Sequence, residues 1–308
     1  MKSIPLASID QPVSALIMGS DYFSPDNQEK VNQVLEHYIT VGGNTIDTAY
    51  IYNGGQSEKA IGNWLDAGNR GRINVWTKGG HPNKNGHTIN REELTEQLKI
   101  SLDRLKTDQA DLYALHRDDP TVPIGAILEW LNEFVENGQI AAFGGSNWSV
   151  ERLEEANDYA ARNGLKGFSF SSPNLSLAKA QDPYWPGCIS LDQQSIAWHT
   201  KTNVPVFSWS SQARGFFTGR FTREDKSNDD LVRVFYNDQN WKRYDRATEL
   251  AKQKGVSTIE IALAYVVNQP FPTAAIIGPQ NQTEMESCAR GAAIELTQAE
   301  LNWLDLNK

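Results

Sequence analysis

The chain has 308 residues, 39% of them hydrophobic, and a formal net charge of −9. That length suits one barrel-sized domain spanning 1–308, and the apolar fraction is enough to fill its core. The acidic balance argues against nucleic acid or an anionic membrane as partner, and no apolar run approaches the roughly 18–20 residues that span a bilayer.

Short runs rich in Val, Ile and Phe alternate with longer amphipathic stretches, the pattern of strands and helices in turn. In chain order the expected strands are Leu16–Ser20, Asn44–Ala49, Asn74–Gly79, Ala110–His116, Ala142–Asn147, Gly167–Ser172, Pro205–Trp209 and Ala274–Gly278. Between them lie helical patterns at Asn27–Val41, Ser57–Ala67, Arg91–Leu105, Ile124–Glu136 and Val150–Asn163, and a last one at Gln298–Leu306. In Arg91–Leu105, Leu94, Leu98, Ile100 and Leu105 supply an apolar stripe, with Glu93, Gln97, Ser101 and Arg104 on the polar side. Strand–helix units repeated in this way predict an α/β fold, a closed (β/α)8 TIM barrel with extended βα loops. No GxGxxG follows the first strand, which argues against a Rossmann domain. Two regions break the rhythm and read as long loops, Ser172–Leu191 with its three prolines and the charge-rich Phe221–Arg243. The first 21 residues lack a secretory pattern. Cys188 and Cys288 have no metal-type spacing, so a reduced, cytoplasmic setting is expected, with one disulfide left open.

In barrel enzymes the polar residues at the carboxyl ends of strands converge on one site. Here Asp47, Lys78 and His116 end the second, third and fourth strands, and Tyr52 follows just beyond Asp47. Singly each has an ordinary reading: a cap, a solvated strand end, a core histidine, a packed loop aromatic. Jointly they make a coherent chemical set. A phenol ordinarily titrates near 10, a neighbouring ammonium draws it down, and a buried ammonium needs a carboxylate beside it. A neutral imidazole then holds a substrate carbonyl by hydrogen bonding. Such a set protonates an oxygen while another species attacks the carbon. The sequence offers no nucleophile elbow and no metal-type cluster, so the attacking species is expected from a cofactor.

At these residues the sequence resembles the aldo-keto reductase family. Gly43-Asn44-Thr45-Ile46-Asp47-Thr48-Ala49 with Tyr52, Glu58 and Gly62 is similar to its first signature, and Trp76-Thr77-Lys78-Gly79-Gly80 to its lysine strand. Leu98 to Asp118, and Gly138-Gln139-Ile140 with Phe143-Gly144-Gly145-Ser146-Asn147, resemble later segments, so the likeness runs from Gly19 to Cys288. The resemblance implies Tyr52 as general acid, Lys78 and Asp47 tuning it, and His116 orienting a small-molecule carbonyl substrate. It further implies NADP, the family default, or NAD across the barrel mouth. Ser146, Asn147 and Ser171 would meet the carboxamide, Ser171 standing where relatives often carry glutamine. Trp209 would stack on the nicotinamide ring in place of a usual tyrosine. Ser210, Gln212, Arg214 and Gly215 would line the pyrophosphate, and Ser20, Gly278, Gln280, Glu284 and Cys288 the rest of the cofactor wall. Gln280 and Glu284 occupy the segment where relatives place a cation for the 2′-phosphate of NADPH, which leaves room for NADH.

Two other readings remain at this stage. Some relatives on this fold serve as non-catalytic nicotinamide-binding sensors or accessory subunits, and a different barrel chemistry using Asp47 would need a second well-placed acid. Trp148, Trp185 and Trp241 are candidate walls for the substrate, and the short carboxyl-terminal region favours an open site for polar, sugar-like carbonyls.

Overall fold

The computed structural model describes residues 1–84, 86 and 89–307. A two-stranded antiparallel hairpin, β1 (Ser3–Ile4) and β2 (Val13–Ser14), comes first. It is followed by β3 (Leu16–Gly19), β4 (Thr45–Asp47), β5 (Asn74–Gly79), β6 (Ala110–Leu115), β7 (Ile140–Ser146), β8 (Ser171–Ser172), β9 (Val206–Ser208) and β10 (Thr273–Ile277). These eight close into a parallel barrel in chain order, β10 pairing back onto β3. Every residue of β5 is buried, because helices cover the outside and side chains fill the inside, so barrel strands read as nearly unbroken apolar runs.

Trp76, Leu112, Phe170 and Phe207 pack inside the barrel, with Ile4, Leu6 and Val13 of the hairpin against them. The hairpin lies at the amino ends of the strands, since Gln11 and Pro12 accept from Asn74 and Asn44 just where β5 and β4 begin. The opposite, carboxyl end is thereby left for a site. The outer layer is formed by α1 (Gln28–Thr40), α2 (Gln56–Trp64), α3 (Arg91–Leu105), α4 (Ile124–Glu136), α5 (Val150–Asn163), α6 (Gln193–Thr202), α7 (Asp229–Phe235), α8 (Asp238–Lys254), α9 (Thr258–Val267), α10 (Gln282–Ala293) and α11 (Gln298–Leu304). Local signals set several ends: Asn90, Ser149, Asp192 and Asn281 cap the amino ends of α3, α5, α6 and α10.

Three expectations need correction. The region Phe221–Arg243 is not one long loop, because α7 and the start of α8 occupy most of it. Asn228 and Asn237 cap those helices, and Leu231, Val234, Phe235 and Trp241 bury against Phe216 and Phe217. The exposed charges between them masked the helical period. In α3, Gln97 and Ser101 are buried rather than solvated, and Gln97 Oε1 accepts from the Gly80 amide at 2.9 Å, bracing the chain just past Lys78. Of the three tryptophans, Trp148 and Trp241 are core residues, 2% and 7% exposed, and only Trp185 lines the cleft.

Candidate active site

The carboxyl ends of the strands open into a cleft of about 1590 Å³. Asp47, Tyr52, Lys78 and His116 all line it. Asp47 closes β4 in register with Trp76 of β5, and Lys78, two residues further along the same strand, points to the same face. The Lys78 ammonium donates to Asp47 Oδ1, to the Thr48 carbonyl at 3.0 Å and to Tyr52 Oη at 3.2 Å. Tyr52 opens a tight turn in which Asn53, Gly54 and Gly55 all have left-handed φ, 48°, 60° and 86°. At Gly55 a Cβ would run into the Arg104 guanidinium. That guanidinium donates to the Tyr50 carbonyl at 2.9 Å and to buried Glu58 at 3.1 Å, while Glu58 also accepts from Thr77 at 2.7 Å. Glu58 thus positions the Tyr52 turn without entering the cleft.

Burial pushes the Asp47 carboxyl up to about 6 and the Lys78 ammonium down, each opposed by the other's charge. Burial likewise raises the Tyr52 phenol well above its ordinary value, with Asp47 and Asp21 adding to the rise. The expectation that Lys78 draws the phenol down is therefore not met, because that ammonium is itself depressed and its charge is directed at Asp47. The phenol is held protonated. His116 is driven the other way, well below its ordinary value by burial and then by Lys78 and Arg117, so its ring is neutral. Its buried Nδ1 has no hydrogen-bond partner among the described residues.

On the other side of the cleft, Asn147 Oδ1 accepts from Trp209 Nε1 at 3.2 Å and from the Ile189 amide at 3.1 Å. Its Nδ2 donates to Ser146 Oγ at 3.1 Å. Ser20, Ser210, Gln212, Arg214, Gly215, Gly278, Gln280, Glu284 and Cys288 also line the cleft. Ser171 does not: it borders a separate small cavity with His199, and Ser172 faces the cleft instead. Adjacent strand residues point to opposite faces, so a one-residue offset reverses the assignment. The Ser172 hydroxyl is buried without a hydrogen-bond partner among the described residues, as a group reserved for a ligand would be. The positive end of α10 begins beside Gly278 and Gln280, where negative charge is favoured. Glu284 accepts from the Gln280 amide at 2.8 Å and pairs with Arg220 at 3.3 Å, and Lys30 donates to Gln280 at 3.4 Å. Two cations from other segments therefore stand where the local sequence has none. These features fit an extended anionic nucleotide with a polar amide at one end.

The structure adds Asp21, Tyr22, His81, Arg117, Cys188 and Arg220 to the cleft wall. Arg117 was missed, although its place one residue past His116 could have pointed to it. The others come from irregular segments with no spacing to mark them. Both cysteines are free thiols.

A family model described as the aldo/keto reductase family matches residues 15–306. The chain belongs to the aldo/keto reductase family. Aldo-keto reductase YhdN of Bacillus subtilis (strain 168) is 28% identical over 271 residues, covering 84% of this chain and 76% of that protein. Versiconal hemiacetal acetate reductase of Aspergillus parasiticus is 26% identical, covering 95% and 93%. A probable voltage-gated potassium channel subunit beta of Oryza sativa subsp. japonica is 25% identical, covering 83% and 80%. A crystal structure of the thermostable aldo-keto reductase Tm1743, with the inhibitor epalrestat, superposes with a TM-score of 0.77 over 99% of both chains at 22% identity, a likeness of fold. Aldo/keto reductases are oxidoreductases that generally bind nicotinamide cofactors, and the relatives support an oxidoreductase here.

Proposed function

We propose that the protein is a nicotinamide-dependent carbonyl reductase in which Tyr52 delivers the proton, the whole chain acting as one domain. The carrying observation is the convergence of Lys78 on both Asp47 and Tyr52 beside a neutral His116. When bound, NADPH or NADH supplies the hydride that attacks the carbonyl carbon. Ser146, Asn147 and Ser172 would hold its carboxamide, Trp209 its ring face, the Ser210–Gly215 turn its pyrophosphate, and Gln280, Glu284 and Arg220 its adenosine end. His116 donates a hydrogen bond to the substrate oxygen and fixes it toward the phenol. Tyr52, protonated at neutral pH, gives its proton to that oxygen as negative charge develops there. The phenolate left behind is stabilised by the Lys78 ammonium at 3.2 Å, whose own charge is balanced by Asp47. The balance falls on transition-state stabilisation: the resting phenol resists ionisation, and the ammonium acts only as charge appears.

The test is a panel of aldehydes, ketones and sugars with NADPH and with NADH, followed by loss of nicotinamide absorbance, in wild type and Tyr52→Phe. The expected result is turnover in wild type, a roughly 10²–10⁴-fold loss in the variant, and unchanged nucleotide affinity. A variant keeping more than about a tenth of the wild-type kcat removes Tyr52 as the acid. The channel-subunit relative makes a nucleotide-sensing role the second reading, and nucleotide binding without turnover of any carbonyl would favour it.

A further inference from the structure

Arg117 is 8% exposed and lines the cleft directly after His116. Its Nη1 donates to the His116 carbonyl at 2.8 Å and its Nη2 to Cys188 Sγ at 3.2 Å. Neither acceptor carries charge, since burial pushes the Cys188 thiol up and keeps it protonated. Arg117 has no ion pair with any described carboxylate, Asp21 of the same cleft included, and three further acids are engaged elsewhere. Asp118 pairs with Arg152 at 3.2 Å, Asp119 accepts from Thr121 at 2.6 Å, and Asp47 faces Lys78. A guanidinium keeps its charge whatever its surroundings, and burying one without a counter-charge is costly. A purely structural strut between His116 and the Cys188 loop would need only a neutral donor.

We infer that Arg117 is the receptor for a carboxylate or phosphate on the carbonyl substrate, and that it thereby selects anionic carbonyl compounds; this rests on the reductase reading above. The planar fork suits either anion, and the two contacts described fix its plane while leaving other N–H groups for a ligand. Arg117 adjoins His116 in the chain and lines the same cleft as Tyr52 and Lys78, so an anion held there shares the cleft with the proposed site of carbonyl reduction. The chain at Gly187 passes over the stem of Arg117 in a left-handed conformation, φ 71°, close enough that a Cβ would touch it at 3.5 Å. Gly187 and Arg117 both line the cleft, so an anion can reach the guanidinium from there.

The experiment compares kcat/KM within two matched pairs at fixed ionic strength, succinic semialdehyde against butyraldehyde and glyceraldehyde 3-phosphate against glyceraldehyde. One charge-assisted contact predicts that wild type favours the anionic member of at least one pair by about tenfold to a hundredfold, mainly through KM. The pair that shows the preference identifies the anion. Arg117→Met brings the ratio to near one while neutral substrates are still reduced, and Arg117→Lys retains part of it. A strut role would lower both members alike and leave the ratio unmoved. Should Arg117→Met fail to fold, Arg117→Lys carries the test through a KM rise confined to the anionic member. Turnover of the neutral members with no anionic preference in either pair, or a preference that survives loss of Arg117, overturns the inference and leaves the reductase reading intact. Failure of wild type to reduce any carbonyl with either nucleotide overturns both.

Discussion

Lys78→Met isolates the buried ion pair on which the site is built. Lys78 and Asp47 are only 2% and 3% exposed. With its partner present, Asp47 is still raised from 3.8 to about 6 by burial, which opposes folding at neutral pH. Lys78 is depressed by the same burial, so the charged pair costs more than it returns. Removing Lys78 deletes the attraction and hydrogen bond that hold Asp47 down, and the carboxyl rises further. Breaking a buried pair from one side costs roughly 3–5 kcal/mol. At about 2.1 cal/mol/K per residue over this chain, each kcal/mol moves Tm by about 1.5 °C, so Tm at pH 8 should fall by about 5–8 °C.

The pH dependence follows from the sign of the shift. The folded pKa of Asp47 lies above its unfolded value, so its contribution is most favourable below about pH 4 and is lost as pH rises through the folded pKa. The deficit of Lys78→Met should therefore shrink between pH 8 and pH 5. Asp47→Asn combined with Lys78→Met should recover most of the stability and none of the turnover. Thermal and urea unfolding of the three proteins at both pH values is the assay. A single variant as stable as wild type at pH 8, or a double variant no better than the single, refutes the argument, and a fully active Lys78→Met protein removes Lys78 from the chemistry.

His116 is neutral through burial and its cationic neighbours, so kcat/KM should show no imidazole inflection between about pH 6 and 7; an inflection there that vanishes in His116→Gln contradicts this. Gln280→Arg should strengthen NADPH about tenfold or more and leave NADH little changed, because a charge-assisted contact is worth roughly 1.5–3 kcal/mol. Glu284→Gln, which releases Arg220, should act in the same direction. A wild-type preference for NADPH above about a thousandfold would mean that Arg220 and Lys30 already supply the missing charge. Gly62→Ala should destabilise by about 1–3 kcal/mol despite alanine's helix propensity, because its Cβ would meet the Arg104 backbone carbonyl; unchanged urea unfolding would show that α2 and α3 can separate.

The convergence of Asp47, Tyr52, Lys78 and His116 was legible because barrel geometry turns a one-dimensional rule, the last polar residue of a strand, into a three-dimensional cluster. Asp47, Lys78 and His116 need only correct strand ends to converge. Ser171 shows the limit of that rule: β8 is two residues long, so periodicity has nothing to lock onto and the cleft-facing serine is the next one. Helices α7 and α8 were hidden for a different reason. Their buried faces are short, and the Asn228 and Asn237 caps that start them are common loop residues until the chain is seen to turn. Arg117 and Cys188 are 71 residues apart in sequence and 3.2 Å apart in space, brought together by a segment, 173–191, that has no helix or strand. The proposed proton-transfer residues thus sit at regular strand ends that a sequence pattern can reach. Arg117, the proposed anion receptor, lies beside them but is held by the irregular segment 173–191, where only long-range contacts define position. Within one barrel, the identity of the reaction is accordingly easier to read than the identity of what it acts on.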